Sequence, residues 1–231
     1  MRKLKKTKVK LLVTLLSFVL LFCGTMGSSL AWLLDKTEDV TNTFTPSTIG
    51  VTLTEPCKDN NPNYEFEMVP GHWIEKDPVV TVTAGSEDCW VFLKVEESGT
   101  LDQYIAYTID IGTWKVLDAE KYPGVYVTNS PIQNIVAARE LNVLGSCSVS
   151  FTFDNKGTED TDDDVTETFS CAAKQVLTLP TVTETMMENV KKGTVEAPSL
   201  EFTAYAAQYW KTNGQNFTEE EAWNLAFANA N

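Results

Sequence analysis

The residues able to do chemistry in this chain are few and badly spaced for it. His72 is the single histidine, so the sequence offers no second imidazole to share a metal ion or to act as a second base. It follows Pro70-Gly71 and stands three residues before Glu75, whereas a zinc-protease helix needs two histidines at i and i+4 with a glutamate between them. His72 therefore reads as a surface turn residue. Glu65 and Glu67 alternate along a strand-like run and would share a face, as a glycosidase carboxylate pair does, but a chain this acidic holds many such pairs. Asp160, Asp162 and Asp164 have the alternate spacing of a calcium loop, yet Val165 occupies the position that needs glycine, and no glutamate stands at Cys171 to close the loop. No Gly-x-Ser-x-Gly, P-loop or dinucleotide fingerprint occurs. Neither a catalytic centre nor a bound cofactor or metal is expected. Trp73, Trp90, Trp114, Trp210 and Trp223 could include a sugar-stacking platform, although in strands and amphipathic helices such residues belong to cores.

The cysteines depend on where the chain resides. Arg2, Lys3, Lys5, Lys6, Lys8 and Lys10 precede the apolar run Leu11 to Phe22, and Cys23 to Ala31 is small and weakly polar, the order of a signal peptide. Ser29 and Ala31 are small residues at the -3 and -1 positions, so cleavage is predicted between Ala31 and Trp32. The competing reading is an uncleaved anchor, since no charge interrupts Leu11 to Leu34, but only about half of that stretch is strongly apolar. Lipid modification at Cys23 is rejected because Phe22 stands where a small residue is needed. Cys57, Cys89, Cys147 and Cys171 would then lie in an oxidising compartment. The runs holding Cys147 and Cys171 read as neighbouring strands, so these two are predicted to pair across an acidic loop, with Cys57 and Cys89 paired or close together.

Of the 231 residues 43% are hydrophobic and 22% charged, enough to bury a core. The formal charge is -14, and because residues 1–31 hold 6 of the 18 basic residues and no acidic one, the remainder carries 12 basic against 32 acidic residues. Nucleic acid is excluded as a partner, and an anionic membrane surface is contacted only during export.

The elements that would position any site are mostly strands. Period-2 or β-branched runs at Ile49–Thr54, Tyr64–Val69, Val79–Thr83, Trp90–Glu96, Tyr107–Ile111, Gly124–Thr128, Cys147–Phe153, Val165–Ser170, Gln175–Leu179 and Ser199–Ala206 are separated by turn residues such as Pro70-Gly71 and Ser98-Gly99. Thr181 with Glu184, and Thr218 with Glu221, predict two capped helices, the first stopped by Gly193; Ser130–Gln133 opens a third. Strands outnumber helices and do not alternate with them, so the expected fold is all-β, an antiparallel sandwich with two or three short peripheral helices. Domain boundaries follow: 1–31 signal peptide, 32–231 one secreted domain, with 154–167 as an acidic, solvated loop insertion.

Three separated stretches resemble the TasA/camelysin family. They are Ala31-Trp32-Leu33-Leu34-Asp35 leading into Asn42-Thr43-Phe44-Thr45 and Gly50-Val51-Thr52-Leu53; Val69-Pro70-Gly71 with Lys76-Asp77-Pro78 and Asp88-Cys89-Trp90; and Leu200-Glu201-Phe202-Thr203-Ala204-Tyr205 with the helix holding Trp223. Asn129 to Lys174 has no counterpart. The resemblance implies a jelly roll, export through a SipW-type signal peptidase, and assembly into extracellular matrix or biofilm fibres of a Gram-positive bacterium. It also brings a metallo-endopeptidase label, which one histidine and no ligand cluster do not support.

The expected function is thus a secreted, extracellular or cell-surface structural protein without catalysis. A carbohydrate-binding sandwich is the alternative and a camelysin-like peptidase a distant third. Self-assembly head to tail would use Trp32, Leu33, Leu34, Val40, Asn42 and Phe44. Once Trp32 is freed, its large apolar neighbours are costly in water, and Val40, Asn42 and Phe44 alternate with threonines as a donor strand would. The same segment could instead form the first strand of its own sandwich.

Overall fold

The computed structural model describes residues 48–56, 66–153 and 164–230. The chain divides into two units, Met1–Thr45 and Pro46–Asn231, and the described residues all lie in the second. In chain order the strands are β1 (Val51–Thr54), β2 (Trp73–Glu75), β3 (Val79–Val82), β4 (Cys89–Glu97), β5 (Ile105–Ala106), β6 (Trp114–Val116), β7 (Val125–Thr128), β8 (Arg139–Asn142), β9 (Cys147–Phe153), β10 (Val165–Cys171), β11 (Gln175–Thr178) and β12 (Leu200–Gln208). Among the described residues the helices are α1 (Glu184–Lys191) and α2 (Glu219–Ala230), and a 3-10 turn spans Leu101–Gln103. Every ladder is antiparallel, in four sheets of order β12-β4-β7-β6, β1-β3-β8, β2-β11-β5 and β10-β9. The fold is all-β and sandwich-like.

β4 shows why. Its sequence is apolar at both parities, the pattern of a strand buried on both faces. Cys89, Val91, Leu93 and Val95 point into a core shared with Val80 and Val82 of β3, Trp114, Val143 and Val176. Trp90 and Phe92 point the other way, where Val125 and Val127 of β7 and Ala222, Trp223 and Ala226 of α2 cover them. Each fully buried Val, Leu or Phe contributes about 1.5–3 kcal/mol. The Trp114 indole lies inside the first core and donates to the Asn142 carbonyl of the facing sheet at 2.8 Å, so one side chain ties the layers together. At Gly124, φ is +75° and a Cβ would meet the Val95 carbonyl oxygen at 2.5 Å, which reserves this turn beside β4 for glycine.

Several expectations need correction. Residues 66–69 form no strand, and Tyr107–Ile111 contributes only an isolated bridge from Ile109 to Leu144, because both runs lack a continuous neighbour to pair with. Ser130–Gln133 does not open a helix; Ile132 pairs instead with Cys89, exchanging backbone hydrogen bonds at 2.8 and 3.0 Å. The cap of α1 is Thr183, whose hydroxyl accepts from Met186 N at 3.3 Å, rather than Thr181. The reciprocal capping box at Thr218 and Glu221 does form, with bonds of 2.9 and 3.2 Å. Of the acidic stretch, Val165–Glu167 already belongs to β10, and the hairpin closes on Phe153 opposite Val165. Residues 154–163 lie outside the described residues, as do Asp160 and Asp162.

Candidate assembly edge and the placement of the reactive residues

β12 is a nine-residue strand whose inner edge is paired with β4 from Leu200 opposite Glu97 to Gln208 opposite Cys89. Among the described residues its outer edge has no ladder partner. β1 comes alongside it without backbone pairing, and β1 is itself laddered on one side only, to β3. Val51 and Leu53 from one strand and Leu200, Phe202 and Ala204 from the other border the same core. The two open edges therefore flank a seam in the sandwich.

Beside Leu200 and Glu201 the seam opens into a cleft of about 640 Å³, lined also by Glu55, Phe66, Ile74 and Lys76. Lys76 Nζ lies 3.2 Å from both carboxylate oxygens of Glu55. It also sits 5.1 Å from the Phe66 ring centroid and 5.7 Å from that of Phe202, a cation held over two aromatic faces. The cleft thus presents aromatic rings beside an ion pair. A second, smaller cleft of about 370 Å³ is bordered by Glu97, Tyr107, Pro123 and Tyr126. The Tyr107 hydroxyl donates to Glu97, and burial, with that carboxylate adjoining, pushes the Tyr107 phenol up. Burial and the same carboxylate raise Tyr126.

The residues singled out for chemistry are scattered. His72 is exposed after its turn, its N–H donating to the Val69 carbonyl at 3.0 Å. Glu67 is exposed and off any strand, and Glu65 lies outside the described residues. Among the described residues no three His, Cys, Asp or Glu side chains gather as metal ligands. No described helix is long and apolar enough to cross a membrane. Cys147 and Cys171 stand directly opposite in the β9–β10 register, 5.1 Å apart at Cα, and form a disulfide. Of the two arrangements expected for Cys89, the disulfide is not made: Cys89 is a free thiol, fully buried in the core. Burial, followed by the neighbouring Asp88 charge, pushes its pKa up to about 12. Its expected companion Cys57 lies outside the described residues, as do Ala31, Trp32, Leu33, Leu34, Val40, Asn42 and Phe44. Of the tryptophans, Trp90, Trp114 and Trp223 are core residues, while Trp73 and Trp210 are exposed.

The partners of Lys76 and Asp88 escaped sequence reading for a physical reason. Glu55 is 21 residues from Lys76, and Trp210 is 122 residues from Asp88, so no local spacing relates them. Compared with protein-family models, curated proteins and solved structures, the chain matches none.

Proposed function

We propose that this chain is an exported structural subunit, without catalysis, that polymerises at or beyond the cell surface by lending residues 32–45 to a neighbour. The recipient would be the seam between β1 and β12. The observation that carries this reading is the nine-residue outer edge of β12, which has no ladder partner among the described residues. An exposed edge of that length is a template for another strand, and natural proteins otherwise blunt or cover it. Glu201 and Thr203 of this strand are exposed, so the face they occupy is solvated. A head-to-tail contact of this kind does not close, so its product is a filament. The sandwich is read as a jelly roll, and maturation by a SipW-type signal peptidase would free Trp32.

Full-length mature protein beginning at Trp32 is expected to form filaments visible by electron microscopy. Because the mature chain is strongly anionic, growth should quicken as salt shortens the screening length to ~8 Å near 0.15 M. A chain beginning at Phe44 should stay folded and monomeric by light scattering. Filaments from that shorter chain at the same rate would refute strand exchange.

A further inference from the structure

Of the two tryptophans exposed among the described residues, Trp210 is built into place. It is 46% exposed, yet its indole N–H donates to Asp88 Oδ2 at 3.1 Å. The same Asp88 carboxylate accepts from Gln133 Nε2 at 3.4 Å and from the Asn134 backbone N–H at 3.0 Å, while the Asp88 carbonyl accepts from Tyr209 N at 2.8 Å. Two other chain segments, 133–134 and Trp210, therefore converge on this one side chain. Asn134 is held at φ +53°, in the left-handed region that few non-glycine residues occupy, and such strain persists only where surrounding contacts impose it.

The other side of the indole is equally fixed. The Tyr209 ring meets it edge-on with centroids 4.9 Å apart, and the Asn216 side-chain amide donates to the Tyr209 hydroxyl. Trp210 also makes a backbone bridge to Asn216, closing a tight hairpin in which Lys211 N donates to the Gln215 carbonyl at 2.7 Å. An indole whose rotamer is already determined loses little entropy when a ligand covers it.

We propose that Trp210 is a stacking platform for a neutral glycan whose pyranose rings carry equatorial hydroxyls. Such a ring has flat C–H faces that match an indole face, and a rim of hydroxyls that need donors and acceptors together. The carboxamides of asparagine and glutamine supply both from one planar, uncharged group, and Gln133 and Asn134 share the Asp88 carboxylate with Trp210 while Asn216 is bridged to Trp210 through the backbone. Asp88, with the formal charge of -14 behind it, disfavours anionic sugars. A protein partner fits less well, because the apolar patch is one ring among exposed Gln208, Thr212 and Asn213, far short of an interface core. Trp210 lies beyond the last residue of β12, and binding at it does not require assembly.

The test is to titrate the full chain with cellohexaose and with chitohexaose, following tryptophan fluorescence and heat, with polygalacturonate as the anionic comparison. At least one neutral hexasaccharide should bind saturably, and Trp210→Ala should weaken it roughly tenfold or more, the size of stacking one planar ring on an aromatic side chain. Trp73→Ala, which removes the other indole exposed among the described residues, should bind as the parent does. Because Trp210→Ala also removes the Asp88 bond, circular dichroism checks its fold. If that variant unfolds, the Trp210 indole N–H resonance, assigned by its loss in Trp210→Phe, must shift on titration of the unaltered chain. No saturable binding of either hexasaccharide, unchanged binding by folded Trp210→Ala, an unmoved indole resonance, or tighter binding of polygalacturonate would each overturn the proposal.

Discussion

β4 and the β9–β10 ribbon are both long antiparallel elements, but they are stabilised by opposite means. β4 lies inside its sheet, between β12 and β7, with core on both faces, so its order comes from burial. The ribbon is a two-stranded sheet by itself. One face carries Val149, Phe151, Phe153 and Phe169, all partly buried; the other is an exposed set of Ser148, Ser150, Thr152, Thr166, Thr168 and Ser170. Isolated two-stranded hairpins are marginal in water. Here the Cys147–Cys171 disulfide staples the base, three phenylalanine rings pack pairwise at 6.2–6.4 Å, and hydroxyl pairs at 2.9 Å join Ser150 to Thr168 and Thr152 to Thr166. The lesson is that the two elements are held differently: β4 by burial on both faces, with Cys89 a thiol that acts as a small apolar residue, and the ribbon by a cross-link at its base between Cys147 and Cys171, themselves buried beside Leu177.

The largest effect should come from the burial side of this comparison. Phe92 is fully buried between β7 and Trp223, whose ring lies 5.4 Å away. Phe92→Ala should cost about 3–5 kcal/mol in denaturant unfolding, from lost transfer energy together with a cavity that the flanking strands cannot close. Phe151→Ala, at a partly buried position on the ribbon, should cost less than half as much. Equal costs would mean that the ribbon has a core of its own and that the contrast is mistaken.

The same contrast explains what the sequence made legible. Long strands with sustained patterns, β4, β9, β10 and β12, were readable to within two residues at their ends, as was the α2 capping box. The three-residue strands Trp73–Glu75 and Trp114–Val116, and the polar Arg139–Asn142, were not, because strands so short have no periodicity and exist through their neighbours in the sheet. Conversely, residues 66–69 and 107–111 have β-prone composition without an available ladder. The facing of Cys147 and Cys171 followed from reading the runs that hold them as neighbouring strands either side of one loop. The Asp88 hub and the Lys76–Glu55 pair could not be seen, since they join segments that only the completed fold brings together.

The cross-link comes next in magnitude. Replacing both Cys147 and Cys171 by Ser releases a closure between residues 24 apart, and in chain-entropy terms this should cost about 3 kcal/mol. The loss should be local. Amide exchange in β9 and β10 should accelerate strongly while amides of β4 keep their protection, and adding reductant to the parent chain should reproduce that pattern. If β4 amides lose protection in parallel, the ribbon and the sandwich unfold as one unit and the division drawn above is wrong.

The smallest effect tests the thiol. Because the folded-state pKa of Cys89 is raised from 9.0 to about 12, the folded protein holds this proton more tightly than the unfolded chain does. The resulting stability is fully present below pH 9; it declines as pH rises, since the unfolded chain releases the proton first, and the decline ends above about pH 12. One proton corresponds to a limiting slope of about 1.4 kcal/mol per pH unit, which integrates to about 1 kcal/mol between pH 9 and 10. Tyr107 and Tyr126 are also raised and add slopes of their own above that range, so the comparison belongs below pH 10. Cys89→Ala costs some packing at every pH but removes the thiol term. Its deficit relative to the parent should therefore shrink by about 1 kcal/mol from pH 9 to pH 10. The disulfide-free ribbon variant, which keeps Cys89, should instead hold a constant deficit over that interval. Parallel pH profiles for the parent and Cys89→Ala would show that the β4 thiol ionises as freely in the folded state as in the unfolded one, and that burial there is less complete than the packing of Val91 and Leu93 around it requires.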